Sequence, residues 1–300
     1  MTGLLFLLAL TSLSASPIFV RWSGAPIEFL GFWRLLLAGA LFLAWEISRH
    51  GLQRLRSRDG GLNKFTQSQW RWPVLSGVFF FLHLWTYVAS AQNTSVAHLV
   101  ILYASNPIFT AAGAYFFFGE QLKKRLWIVY PIAFLGLWVL IQDKVSHSPQ
   151  SGYGDLLAVA SAALHAAYLL CSKQARKTFE NVPFSIGLYT VAAALFAGTA
   201  LVRGSSLVQS TPEAWGAIAA LILFPTFLGH ALMTNLVNKI DLSVLSCGKL
   251  LEPGLSTAMA YFLLQEPVSA RTFLAFALTA LAVLILVWPQ RWTPVRRMSA

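Results

Sequence analysis

Two stretches of the chain, NPIFTAAGAYFFFGEQLKKR at 106–125 and EPGLSTAMAYFLLQEPVSAR at 252–271, lie over one another without a gap. In each, a glutamate follows a proline by thirteen positions, Glu120 after Pro107 and Glu266 after Pro253. Tyr115 and Tyr261 both fall eight positions after their proline, and Arg125 and Arg271 both fall eighteen after it. Four coincident offsets point to an internal duplication rather than to chance recurrence of Pro and Glu at helix ends.

The duplicated stretches sit within a series of apolar runs. A helix needs about 20 apolar residues, at ~1.5 Å each, to cross a bilayer core of ~30 Å. Ten such runs are read: Thr2–Val20, Phe29–Ile47, Trp72–Ala91, Ser95–Phe118, Leu126–Ile141, Tyr153–Cys171, Phe184–Val202, Trp215–Leu236, Leu242–Leu264 and Thr272–Trp288. Thr2–Val20 lacks the basic segment that precedes a cleaved signal sequence, so it is expected to be a retained span. Five runs fall in each half. An odd number forces the second half to enter the membrane from the opposite side. The expected fold is therefore an all-α membrane protein with ten transmembrane helices, arranged as two inverted five-helix repeats, 1–146 and 147–300. Composition agrees, with 57% hydrophobic residues and 11% charged, against about 25% charged in a soluble domain.

A net charge of +11 could suit a nucleic-acid partner, but the basic residues are confined to short segments between apolar runs. That is the signature of membrane topology, and no nucleic acid is expected. Sixteen of the 22 Lys and Arg residues fall in connectors that share one side with both termini. Only Arg21, Lys144, Arg203 and Arg271 fall on the other side, and Arg34 and Lys249 lie within spans. The cationic side is cytoplasmic, so both termini are expected inside. Cys171 and Cys247 lie within or at the end of apolar runs and read as small buried hydrophobes, with no disulfide framework or metal-ligand spacing.

Functional residues are sought where polarity interrupts the spans. Leu242–Gln265 is long enough to cross, yet it holds Lys249 and Glu252, one helical turn apart, followed by Pro253. Charges at mid-membrane are costly, and a helix-breaking proline beside them frees backbone groups for other partners. The segment is a poor anchor and a good ion or substrate site. Other spans carry polar pairs on one face: His83 with Tyr87, Tyr103 with Asn106, and His165 with Tyr168. Tyr103 and Asn106 are the repeat equivalents of Lys249 and Glu252, Ser246 precedes Lys249 by one turn, and His230 lies deep in the eighth span. Each His or Tyr alone could be an interhelical hydrogen bond, and Lys249 with Glu252 a static ion pair. Together they describe a polar and aromatic cavity for a zwitterion, with Glu252 facing an ammonium, Lys249 a carboxylate, and rings an apolar or cationic group.

The GEQL and QEPV helix ends, each followed by one more apolar run, resemble the drug/metabolite transporter superfamily, specifically its EamA-type members. Phe32-Trp33-Arg34, early in the second span, matches that family's usual arginine. The resemblance covers about residues 3 to 288. It implies a multi-pass exporter of the cytoplasmic membrane carrying small metabolites, often amino acids; export of other metabolites or drugs on the same fold is the alternative. The first helix of each repeat commonly carries a cavity-facing tryptophan in that family, and Ser14 and His165 stand in those places here. Glu120 and Glu266, at helix ends, are expected to pair with nearby cations or cap the next helix. The sequence holds no GxSxG, HExxH or Walker motif, so neither an intramembrane enzyme nor direct use of ATP is expected. No cofactor is expected, the partners are a small-molecule substrate and the lipid bilayer, and protons are the candidate coupling ion.

Overall fold

The computed structural model describes residues 2–56, 67–119, 126–142, 151–208, 211–232 and 251–287. Among them there is no strand. The helices are α1 (Thr2–Ser14), α2 (Ser16–Ser23), α3 (Ile27–Arg56), α4 (Gln67–Asn93), α5 (Val96–Tyr103), α6 (Asn106–Phe118), α7 (Leu126–Ile141), α8 (Ser151–Ala175), α9 (Asn181–Arg203), α10 (Pro212–Leu221), a π-helix (Ile222–Ala231), α11 (Leu251–Leu264) and α12 (Ala270–Val287). Among the described residues seven stretches are long and apolar enough to cross a membrane: Leu4–Ser23, Ile27–Arg49, Trp70–Asn93, Val96–Phe118, Gly152–Ala175, Asn181–Arg203 and Pro212–Gly229. Ile128–Leu140 and Ala270–Ala282 are apolar but shorter. The first part of the expected ninth span, up to residue 250, lies outside the described residues.

The polar connector Ser48–Trp70 is helical at both described ends, since α3 runs on to Arg56 and α4 begins at Gln67. Leu, Arg and Gln favour helix, and a helix end beyond the apolar stretch can carry charge without desolvation. Arg49 there lies over the Trp45 ring at 4.7 Å. Gly51 interrupts α3 with a φ of 69°, a left-handed conformation open to glycine.

Prolines set the breaks within spans. Pro17 sits in the first turn of α2 and separates it from α1 at Ala15. Pro107 does the same for α6, leaving Ala104 and Ser105 as a turn inside the Val96–Phe118 crossing. The Ser105 hydroxyl donates to the Leu102 carbonyl at 2.6 Å, satisfying an acceptor that the break exposes. Pro225 lies inside the ten-residue π-helix, where the Thr226 hydroxyl donates to the Leu221 carbonyl at 2.9 Å.

The helices pack in pairs. α4 lies along α8 and α9, α3 along α9, α7 along α12, α1 along the π-helix, and α5 between α8 and α11. Close approach depends on small residues: a Cβ at Gly31 of α3 would come within 2.4 Å of the Phe196 ring on α9. Gly113 of α6 likewise abuts Leu170 of α8, within the small-residue run at 111–114. One core gathers Phe29, Leu30, Leu99, Ile101, Ile218 and Leu221, and a second gathers Phe80, Phe81, Leu188 and Phe196. Phe116, Phe117, Leu201 and Phe262 stand outward and exposed, as lipid-facing side chains do. Cys171 is a buried free thiol.

Candidate functional site

α4 is long and regular, so its i, i+4 spacing aligns His83 and Tyr87 on the face that meets α8. α8 answers with Ser161, His165 and Tyr168 on its own face. The last residue of α5, Tyr103, lies among them. The rings close into one cluster. His83 lies 4.7 Å from His165 and 5.6 Å from Tyr103, stacked on the latter. Tyr103 is 5.5 Å from Tyr87 and 5.7 Å from His165, and Tyr168 is 5.5 Å from His165. Phe80 extends the wall, 4.9 Å from Tyr168 and 6.0 Å from Tyr189 of α9. His83 and His165 fall near the middle of the Trp70–Asn93 and Gly152–Ala175 crossings, so the cluster lies deep in the bundle.

His83 is buried and its tautomer is set by its neighbours. Nδ1 lies 2.8 Å from the Ser161 hydroxyl and 3.2 Å from the Ser161 carbonyl. The Ser161 hydroxyl donates its proton to the His83 carbonyl at 3.1 Å, so Nδ1 must be the N–H donor. In the neutral ring, Nε2 is then an acceptor. No hydrogen bond among the described residues engages that atom, nor the hydroxyls of Tyr87, Tyr103 and Tyr189.

Charge reaches the cluster from two helices. Glu252, half-buried in the first turn of α11, acts electrostatically on Tyr87 and Tyr103. Arg34, on α3, is only 7% exposed. It acts on His83, Tyr87 and Tyr189, and its Nε donates to the Thr226 hydroxyl at 3.4 Å. A charge within a span is costly, most of all at its centre, so both positions mark function by default. Arg34 and Tyr189 were not among the residues that sequence reasoning assigned to the cavity. Arg34 was visible as a charge within an apolar span, whereas Tyr189 had no polar partner one turn away to draw notice.

The other expected residues fall differently. The Asn106 amide donates to the Ala162 carbonyl at 2.7 Å, which ties α6 to α8. Ser14 is buried away from the rings: its hydroxyl donates to Leu10 at 2.8 Å, and its carbonyl accepts from Ser256 of α11 at 2.8 Å. Lys249 and Ser246 lie outside the described residues, as does Glu120, and of His230 only the backbone within the π-helix is described.

A second polar layer closes one end of the bundle. Arg21 at the end of α2 pairs with Glu266 at 2.9 Å and donates to the Thr94 carbonyl at 2.7 Å. Glu266 also accepts from the Val96 amide at 2.8 Å, in the first turn of α5. It thus pairs with a cation and caps a helix, though that helix is α5 and not the next one in the chain. The Thr94 hydroxyl donates to Asp155 at 2.6 Å, and His98, fully buried, holds the same carboxylate at 3.0 Å. Alongside, Glu28 is held by Arg203 at 3.3 Å and by the Trp85 indole at 3.4 Å. The Trp33 indole donates to the Leu207 carbonyl at 2.8 Å.

Comparison with known proteins agrees with this architecture. The model of the EamA-like transporter family matches residues 1–142 and again 152–288. The uncharacterized transporter YwfM of Bacillus subtilis is 25% identical over 268 residues, covering 88% of this chain and 85% of its own. An S-adenosylmethionine uptake transporter of Rickettsia felis is 23% identical over 294 residues, covering 95% and 92%. A solved crystal structure, 20% identical, superposes with a TM-score of 0.64 over 95% of this chain and 96% of its own, which is a likeness of fold. With the family matched along nearly its whole length, this multi-pass membrane protein belongs to the EamA-like transporter family.

Proposed function

We propose that the chain is a secondary transporter of the cytoplasmic membrane that exports small zwitterionic metabolites, amino acids first among them. Transport runs by alternating access between two inverted five-helix repeats, 1–146 and 147–300. The observation that carries this reading is the ring cluster at mid-span, with Arg34 and Glu252 bringing opposite charges to it. Such a chamber offers a cation site, an anion site and aromatic faces.

Inverted repeats are supported by the packing itself. Exchange of the first five crossings with the last five maps the α4–α8 pair onto the α1–π-helix pair. It maps the α3–α9, α5–α11 and α7–α12 pairs onto themselves. The segregation of Lys and Arg assigns the Arg21–Glu266 end to the outside and both termini to the cytoplasm. The ion pairs at that end are what an outward-closed state, one of the two that alternating access requires, would use.

A second reading, movement of S-adenosylmethionine, is favoured by the names of three relatives. That molecule joins an amino-acid head to a sulfonium and a purine, and the ring cluster suits both. Proteoliposome counterflow with labelled amino acids and S-adenosylmethionine, with and without a pH gradient, tests the proposal. Flux into loaded vesicles above that into protein-free vesicles is expected for at least one amino acid. Stimulation by the gradient is expected if protons are the coupling ion. Equal flux in both for every compound would sink it.

A further inference from the structure

We infer that Arg34 is the anion anchor of the chamber and binds the substrate's carboxylate, an inference that rests on the zwitterion reading above. The guanidinium is buried, and among the described residues its one hydrogen bond is the 3.4 Å contact from Nε to Thr226. Arginine carries five N–H donors in a planar fork, and among the described residues neither terminal nitrogen has a hydrogen-bond acceptor. No carboxylate among the described residues lies within ion-pair distance of it.

Three of the described carboxylates are engaged elsewhere. Glu28, on the same helix, is held by Arg203 and Trp85. Asp155 is held by Thr94 and His98, and Glu266 by Arg21 and the Val96 amide. Glu46 stands twelve positions along α3, more than three turns away. A buried guanidinium is stabilised when it meets an anion, and a carboxylate matches its fork with two parallel hydrogen bonds. The missing anion is the one the substrate brings.

The surroundings set the orientation. Arg34 and Glu252 both act on Tyr87, while Tyr189 feels Arg34 and Tyr103 feels Glu252. The rings therefore feel both a cation and an anion. A zwitterion lies along them with its carboxylate toward Arg34 and its ammonium toward Glu252. This places the carboxylate site on the first repeat, in addition to Lys249 on the second.

Counterflow with purified full-length chain in proteoliposomes tests this, using L-methionine, L-phenylalanine and L-threonine, each beside its carboxamide, which lacks the anionic group. The wild type is expected to favour each acid over its amide. Arg34→Gln is expected to lower the ratio of acid flux to amide flux by at least about tenfold, the loss of one charge-assisted pair. Arg34→Lys, which keeps the charge and loses the fork, should fall between the two and guards against a Gln variant that fails to fold. A parallel thermal-shift measurement in detergent should find methionine raising the melting temperature of the wild type and not of Arg34→Gln. Wild-type acid flux that Arg34→Gln leaves intact would overturn this inference alone. Absence of flux for every acid in the wild type would overturn the zwitterion reading and the inference with it.

Discussion

The Arg21 guanidinium and the Glu266 carboxylate, contributed by the first span and by the connector before the last helix, lie 2.9 Å apart and join the two ends of the chain. The same carboxylate receives the Val96 amide, so a single side chain holds α2, α5 and the α11–α12 connector together. The Arg21 side chain is one-third exposed and that of Glu266 11% exposed, which places the pair at the rim of the bundle, between water and the core.

If this pair closes the outer end, Glu266→Ala should open it. A charge-assisted hydrogen bond contributes about 1.5–3 kcal/mol, so the closed state should lose roughly tenfold in population relative to the open one. The measurement is labelling of Tyr87→Cys by a membrane-impermeant maleimide added outside intact cells. The rate should rise about tenfold in the Glu266→Ala background. An unchanged rate would reduce the pair to a structural brace.

The Asp155 carboxylate serves two donors at once, the Thr94 hydroxyl and His98 Nδ1. Asp155→Leu removes the carboxylate that both donors share, at a cost of about 1–3 kcal/mol each. A lowered melting temperature in detergent is expected, with Thr94→Val giving a smaller loss. Equal stability of Asp155→Leu and wild type would show that water replaces the carboxylate at this end.

His165 stands 4.7 Å from His83 and 5.7 Å from Tyr103, so a larger ring there must encroach on the chamber. His165→Trp is expected to reduce flux of phenylalanine and S-adenosylmethionine by about tenfold relative to threonine, since forced overpacking costs about 1–3 kcal/mol. A ratio identical to that of the wild type would mean that the substrate does not reach this ring.

Glu252 and Lys249 lie one turn apart in the sequence, Lys249 outside the described residues. Were they only a mutual ion pair, removing both charges would be mild, because neither is left buried alone. As substrate or proton ligands, they are needed together. Lys249→Met with Glu252→Gln should therefore reach the membrane at normal levels and transport almost nothing. Wild-type flux in that double variant would leave Arg34 and the rings as the whole of the binding site.

Several features were legible from the sequence because they are local. Apolar runs longer than a bilayer's width mark helices whatever their neighbours, and proline dictates the breaks at Pro17 and Pro107 from its missing N–H. The pairs His83 with Tyr87 and His165 with Tyr168 were readable because helical spacing alone puts them on one face. The basic segments at 48–71 and 123–125 follow from the energetics of topology, before any helix packs.

Tertiary structure decided which faces meet. A helix apolar on every side, such as α7, carries no stripe to name its partner, so its pairing with α12 is set by shape and small residues. Asn106 and Tyr103 look alike in the sequence as polar residues in one broken span, yet packing commits the first to the Ala162 carbonyl and leaves the second among the rings. Arg34 announces itself as a costly charge. That its terminal nitrogens have no acceptor among the described residues follows only when Glu28 is found with Arg203, because ion pairing acts across a few ångströms of space and takes no account of distance along the chain.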